Sequence, residues 1–401
     1  MIDKQEIMDS ARVFGLAAQV VEKDYTLGWM LAGIAAHPEI GSSWAFKGGT
    51  CLKKCYFETY RFSEDLDFTL TNPEHLDETF LTNTFREIAE WVYDHTGIEI
   101  PDTTIKFEVY QNPRGGNSAQ GKVGYQGPMQ RRGDAPRIKL DLTDDEILVL
   151  EPVMRGVHHP YSDKPENGIQ VLCYSFEEVF AEKMRALGER ERPRDLYDVV
   201  HLYRHDGISP DRALIYSTLT EKCQFKNIAV PTMSSLSNQP ARAELEADWH
   251  QMLAHQLPTL PPFEQFWNEL SNVFEWLLQK QEKTILASVP TIGATGTPWN
   301  PTHLPQAGYK NLALEAIRFA AANRLCVDLQ YDNKNRLIEP YSLRKTQDGN
   351  ILLHATRHDT GEARSYRIDK IQGATVTQTS FIPKYAVELM DSGTIHVPQA
   401  R

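Results

Sequence analysis

The chain has 401 residues, 41% hydrophobic and 24% charged, with 54 acidic against 42 basic side chains and a formal net charge of −12. That length suggests two or three domains, each able to bury a core, and the acidic balance argues against a general nucleic-acid coat. No apolar run approaches the roughly 20 residues that span a bilayer, and Met1-Ile-Asp-Lys-Gln-Glu lacks the basic-then-apolar pattern of a secretory signal. The five cysteines form no C-x-x-C pair and no zinc spacing. Cys51 and Cys55, one helical turn apart, are expected as small packing residues, and a reducing cytoplasm as the compartment.

In chain order, Val13, Phe14, Ala17, Val20, Val21 and Tyr25, continued by Leu27–Ile34, predict a helix over residues 5–36. Trp44-Ala45-Phe46 reads as a short buried strand, Thr50–Tyr60 as a helix opening on a glycine pair, and Asp65–Leu70 as a second strand. A helix over 80–95 and a strand at Ile105–Gln111 follow, then a loop or irregular hairpin over 112–136. In Arg137–Thr143 the residues Ile138, Leu140 and Leu142 face one way and Lys139, Asp141 and Thr143 the other. Helices at Ser175–Leu187 and Arg194–Arg204 are joined by a polar turn, and 211–284 reads as mostly helical. Ser288–Gln306, rich in Pro, Gly and Thr, is the clearest linker. Beyond it come a helix at Asn311–Asn323 and short strands near 325–331, 337–344, 351–357, 363–368 and 373–381, a pattern that suggests a small β-barrel. The chain thus divides into a unit at 1–205, a helical extension at 206–287, a linker at 288–308 and a β-rich unit at 309–390. Residues 309–384 hold twelve Lys/Arg against eight Asp/Glu, leaving −16 for the remainder. That excess suits an anionic ligand or arises by chance.

The chemistry concentrates in Lys47-Gly48-Gly49-Thr50, followed after fourteen residues by Asp65-Leu66-Asp67. A glycine pair opening a helix can cradle phosphate, because the first helical N–H groups lack partners and lie at the positive end of the dipole. Asp65 and Asp67, at i and i+2 on a strand, project to one face roughly 6–7 Å apart. At an effective dielectric of about 20 they repel by about 2–3 kcal/mol, which a cation would relieve. Two hard oxygen ligands suit Mg²⁺ (or Mn²⁺), and Asp141 supplies a third carboxylate able to help deprotonate an acceptor hydroxyl. The bland alternative is a solvated strand face. On the 175–187 helix Lys183 falls within the apolar stripe of Phe176, Val179, Phe180 and Leu187, with Glu178, Glu182 and Arg185 opposite. It either snorkels outward or meets an anion. Asp195 lies on the apolar side of the next helix with Asp198 one turn on, capping it, pairing with Arg194 or Lys183, or serving the site. Lys139 shares a strand face with Asp141, to pair structurally or to contact a nucleotide. Walker A, G-x-S-x-G and His-Glu-x-x-His sequences are absent, and His158-His159 reads as loop.

Together, Phe46-Lys-Gly-Gly-Thr50, Arg61-Phe-Ser-Glu-Asp-Leu-Asp67, Lys139-Leu-Asp141, Glu182-Lys183 and Arg194-Asp-Leu-Tyr-Asp198 resemble the AbiEii/AbiGii toxin family of nucleotidyltransferases, which includes the MenT toxins. Glu22-Lys-Asp-Tyr25 is similar to the segment before that family's first strand, and the resemblance covers about residues 10–205. It implies an α+β fold with a DNA-polymerase-β-like core. Gly48, Gly49 and Thr50 would hold the triphosphate and Asp65 and Asp67 the metals, with Asp141 as third carboxylate. Lys139, Lys183, Asp195 and Asp198 fall on the family's later motifs. The implied partners are an NTP, a tRNA 3′ end or protein as acceptor, and a helix-turn-helix antitoxin from an adjacent gene, with no membrane. The tail is similar to a WYL domain, an Sm/SH3-like barrel, through Val327–Tyr331, Arg336–Tyr341, Ile351–His354 and Arg364–Ile371. It departs at the defining tripeptide, here Ile351-Leu352-Leu353. Arg344, Arg364 and Arg367 are its candidate anion ligands, with surface charge as the alternative.

The expectation is a cytoplasmic, Mg²⁺-dependent enzyme of a toxin–antitoxin or phage-defence system, moving an NMP from an NTP to a hydroxyl. The alternative is a regulatory sensor of nucleic acid or nucleotide whose front domain binds NTP without catalysis. An antibiotic-modifying nucleotidyltransferase would share the chemistry.

Overall fold

The computed structural model describes the chain apart from residues 112–114, 132, 206–209, 239–240, 291–296, 299–308 and 391–401. The first segment is two helices rather than one, α1 (Lys4–Phe14) and α2 (Ala18–Ala36). Gly15 separates them by adopting φ 65°, so that its own N–H and that of Leu16 turn back onto the carbonyls of Ala11 and Arg12. In α2 every residue from Tyr25 to Ile34 is buried, the signature of a helix running through the interior.

Around α2 the chain lays down β1 (Trp44–Lys47), α3 (Gly48–Cys51), β2 (Asp65–Leu70), α4 (Glu78–Thr96), β3 (Lys106–Gln111), β4 (Asn117–Gly124), β5 (Arg137–Thr143), β6 (Val153–Gly156) and β7 (Gln170–Cys173). The helix begun by α3 continues as a π turn over Leu52–Tyr56 and stops short of the expected Tyr60. The strands form one seven-stranded sheet in the order β3-β4-β5-β2-β1-β7-β6. Its centre mixes directions: β2 runs antiparallel to β1 and parallel to β5, and β1 runs parallel to β7. The stretch read as loop or irregular hairpin over 112–136 contains a regular strand, β4, which pairs antiparallel with β3 before it and β5 after it. Strands β6 and β7, four residues each, carry too little periodicity to be anticipated.

Helices α5 (Phe176–Arg190) and α6 (Pro193–Arg204) pack beside the sheet, and the extension adds α7 (Arg212–Phe225), α8 (Met233–Ser237), α9 (Ala241–Leu253) and α10 (Phe263–Leu277). The side of α5 opposite its apolar stripe is covered by α7. Lys222 of α7 reaches Glu178 at 2.6 Å and Glu182 at 3.5 Å, so this polar face is an internal ion cluster.

Much of the expected linker falls outside the described residues, but within it β8 (Thr297–Pro298) pairs with the tail. The tail comprises α11 (Tyr309–Asn323), β9 (Leu325–Tyr331), β10 (Lys334–Lys345), β11 (Ile351–Arg357), β12 (Ala363–Arg367) and β13 (Ile371–Ser380). These strands run antiparallel in the path β12-β11-β10-β9-β13, with β8 alongside β10. Among the described residues no pairing joins β12 to β13, so the sheet is open where a closed barrel was expected. Helix α11 covers β13 and β9 and also meets the front unit. There the buried Arg318 bridges Glu58 at 3.1 Å and Glu315 at 2.9 Å, and the Tyr197 hydroxyl donates to Asn323 at 2.9 Å. Among the described residues no helix is long and apolar enough to cross a membrane.

Candidate active site

Register assembles the carboxylates. Across the parallel pair β2–β5, Asp65 stands beside Lys139 and Asp67 beside Asp141, and across the antiparallel pair β1–β2, Lys47 stands opposite Asp67. Paired residues share a face, so these five side chains occupy one side of the sheet. Leu66, Phe68, Leu140 and Leu142 go into the core on the other. Burial pushes the Asp67 carboxyl up to about 6, with Asp141 and Asp65 adding to the rise against the opposing charges of Lys47 and Lys183. Asp141 is raised too, by desolvation and then by the charge of Asp65. Three crowded carboxylates, Asp67 and Asp141 among them resisting ionisation, fit a hard divalent ion such as Mg²⁺ or Mn²⁺.

The glycine pair makes room for these groups. Gly48 has φ +79°, and a Cβ there would lie 2.1 Å from Asp67 Oδ2. A Cβ on Gly49 would lie 2.4 Å from the Arg61 guanidinium. Neither position tolerates a side chain without moving a charged group of the site. Thr50 is fully buried, and its hydroxyl donates to the main-chain carbonyl of Asp65, fastening the helix to the carboxylate strand. Lys47 is ion-paired with Glu146, whose carboxylate also accepts from the Tyr174 hydroxyl at 3.2 Å.

Behind the carboxylates, α5 and α6 contribute a buried charge cluster. Lys183 meets an anion rather than solvent, lying 2.7 Å from Asp198 and 3.5 Å from Asp195. Asp198 also accepts two bonds of 2.7 Å from Arg61 and one from the Tyr60 hydroxyl. Burial opposes ionisation of Asp198, yet Arg61 and then Lys183 hold it well below the usual carboxylate range. Asp195 accepts from Arg190 at 2.7 and 2.9 Å, whereas Arg194 turns to the Met252 carbonyl at 3.4 Å. Because Arg61 packs against Gly49 and Lys183 acts on Asp67, the cluster and the carboxylates form one electrostatic unit.

The structure therefore brings together Lys47, Gly48, Gly49, Thr50, Asp65, Asp67, Lys139, Asp141, Lys183, Asp195 and Asp198. It keeps the tail arginines apart. Arg344 pairs with Glu388, Arg364 with Glu362 and Arg367 with Asp369. Arg364 and Arg367 are three residues apart on β12 and so point to opposite faces. Arg344 and Arg367 both register with Leu352 and share a row.

Sequence reasoning gave no role to Tyr60, Arg61, Glu146 or Arg190. Arg61 stood inside the quoted motif, but its partner is 137 residues away. Glu22-Lys-Asp-Tyr25 proves to be a brace. Lys23 pairs with Glu64 at 3.0 Å, directly before Asp65, and Asp24 with the buried Lys54 at 2.7 Å.

Residues 29–280 match the family profile described as nucleotidyl transferase AbiEii toxin of a type IV toxin–antitoxin system. The chain belongs to the AbiEii nucleotidyltransferase toxin family. Its tail, over residues 313–376, matches the WYL domain. This AbiEii-family chain is thus a nucleotidyltransferase of the toxin–antitoxin class carrying a WYL domain. Among solved structures it is similar to MenT4, a nucleotidyltransferase toxin of Mycobacterium tuberculosis, with a TM-score of 0.47 and 16% identity over 69% of this chain and 90% of that one. It is also similar to JHP933 of Helicobacter pylori, with a TM-score of 0.43 and 17% identity over 66% of this chain and 94% of that one. No curated protein matches it.

Proposed function

We propose that this AbiEii-family enzyme transfers a nucleoside monophosphate from an NTP to a hydroxyl acceptor, with a tRNA 3′ end favoured over a protein side chain. The new bond joins the acceptor oxygen to the α-phosphorus, the α–β phosphoanhydride breaks, and pyrophosphate leaves. Asp65, Asp67 and Asp141 would hold divalent ions, Mg²⁺ or Mn²⁺, which when bound supply charge neutralisation at the phosphates. Asp141, exposed at the edge of the cluster, would take the acceptor's proton. Gly48 and Gly49 let backbone approach the phosphates without a Cβ in the way. Lys183 and Arg190 put positive charge beside Asp67, which would offset the charge that builds up as pyrophosphate departs. We read the tail as a small Sm-like β-unit, the compartment as cytoplasm, and a neighbouring antitoxin as the physiological partner.

The observation that carries this reading is the register that sets Asp65, Asp67 and Asp141 on one face above a glycine pair shaped around Asp67. The test is incubation of the purified protein with Mg²⁺, each labelled NTP and either total RNA or lysate protein. Label should appear in RNA and should disappear with Asp65→Ala while NTP binding persists. A protein that binds NTP but labels neither acceptor with any of the four nucleotides is not this enzyme. Growth arrest that survives Asp65→Ala would favour the sensor reading instead.

A further inference from the structure

Cys51 and Cys55 carry helical spacing, and the fold adds a third thiol that the sequence hides. Cys173, at the end of β7, brings its sulfur among theirs, so that all three Sγ atoms lie within 4.8 Å of one another. All three residues are fully buried. The grouping is specific: Cys223 and Cys326, also buried, belong to no such cluster among the described residues.

Three features make this more than apolar packing. The helical pair spans four residues, a spacing that turns two ligands to one side. Cys173 is set opposite Phe46 in the β1–β7 register, which fixes the third ligand on a strand paired on both sides rather than on a loop. A cation is built in beside the sulfurs. The Arg155 guanidinium donates to the Cys55 carbonyl at 2.9 Å and stacks 4.2 Å from the Tyr56 ring.

We propose that Cys51, Cys55 and Cys173 form a three-thiolate site for a thiophilic d10 metal ion, Cu(I) by preference, on the back of the catalytic sheet. Soft thiolates select Cu(I) and Zn²⁺ over hard ions. A structural Zn²⁺ is almost always held by four ligands, and no fourth Cys, His, Asp or Glu joins the three sulfurs among the described residues. Three sulfurs alone suit trigonal Cu(I). On loading, each thiol that becomes a ligand releases its proton to solvent, and three S–Cu bonds form with no change of oxidation state. The site is also placed to matter. Cys51 follows Thr50, the brace of Asp65, and Cys173 precedes Tyr174, whose hydroxyl bonds to the Glu146 that pairs with Lys47. A bound ion would tie both supports together. The proposal rests on the thiol geometry and is independent of the transferase reading.

Because the sulfurs are buried, the full chain is unfolded and refolded without oxygen in the presence of Cu(I), of Zn²⁺ or of neither, then desalted. The expected result is one copper per chain with sulfur-to-copper charge-transfer absorption, retained by Cys223→Ser and weakened about 100-fold or more by Cys173→Ser. Should Cys173→Ser fail to refold, the wild-type chain suffices. In partly denaturing urea, Cu(I) should slow alkylation of Cys51, Cys55 and Cys173 together and leave Cys223 at its metal-free rate. Copper lost on desalting, protection spread equally over all five cysteines, or tighter retention of Zn²⁺ than of Cu(I) would overturn the assignment.

Discussion

The arginines of the catalytic unit and those of the tail solve the same problem in opposite ways. Arg61 reaches Asp198 across 137 residues of sequence, and both side chains are buried. In the tail, Arg357, Arg364 and Arg367 pair with Asp359, Glu362 and Asp369, each two residues along the chain and largely exposed. A buried pair forces distant elements into one geometry and leaves a costly unpaired charge if either partner is lost. A local exposed pair forms and breaks in water with little consequence. The density of basic side chains alone, higher over 309–384 than over 1–205, therefore points away from the site. What marks the site is charge that has been desolvated and fixed.

Substitutions can break this contrast. The largest effect is expected at the carboxylates: Asp67→Asn should lower nucleotidyl transfer about 10³–10⁵-fold, the scale of losing a charge-neutralising element in phosphoryl chemistry. Its folding should not suffer, because the half-buried Asp67 resists ionisation in the absence of metal. A transfer rate within tenfold of wild type would remove Asp67 from the machinery.

Next comes the charge cluster. Asp198→Ala strips the buried Arg61 of its carboxylate and leaves Lys183 only its longer contact to Asp195, and loss of one partner from a buried pair costs about 3–5 kcal/mol. Urea unfolding should show that loss. A shift below about 1 kcal/mol would mean that water reaches the cluster and that its geometry is not enforced.

A pH effect of intermediate size follows from Asp67. Its folded value, about 6, lies above the ordinary carboxylate value of about 3.9, so between these limits the folded state keeps a proton that the unfolded state has released. The contribution of Asp67 to stability is present below about pH 4 and is lost as pH rises to about 6, by at most about 3 kcal/mol. In EDTA the stability difference between Asp67→Asn and wild type should grow across that window, and Mg²⁺ should remove the difference by favouring the ionised carboxylate. Parallel pH profiles for the two proteins in EDTA would show that Asp67 titrates normally.

Much of the site was legible because it is local. The Gly48-Gly49 pair, the i, i+2 spacing of Asp65 and Asp67, the alternation around Asp141 and the inward phase of Lys183 are properties of short windows. What was not legible depends on partners brought from far away. Arg61, Glu146 and Cys173 take their roles from strands and helices more than 90 residues distant. The polar side of α5 shows a related limit, since a helical wheel cannot tell solvent from a second helix, and Lys222 turns Glu178 and Glu182 into interior groups. Gly15 shows a third, where one left-handed residue divides a continuous apolar pattern.

The smallest effect is expected in the tail, and it completes the comparison. Arg367→Ala removes a guanidinium whose carboxylate partner, Asp369, is itself solvent-exposed, so neither the urea midpoint nor the transfer rate should move measurably. Arg344 is the instructive control within the same sheet. It shares the Leu352 row with Arg367, but it is buried and paired with Glu388, 44 residues on. If burial and distance decide the value of a charge here, Arg344→Ala should lower the midpoint clearly where Arg367→Ala does not. Equal shifts for the two would show that position in the sheet, rather than desolvation, governs the tail.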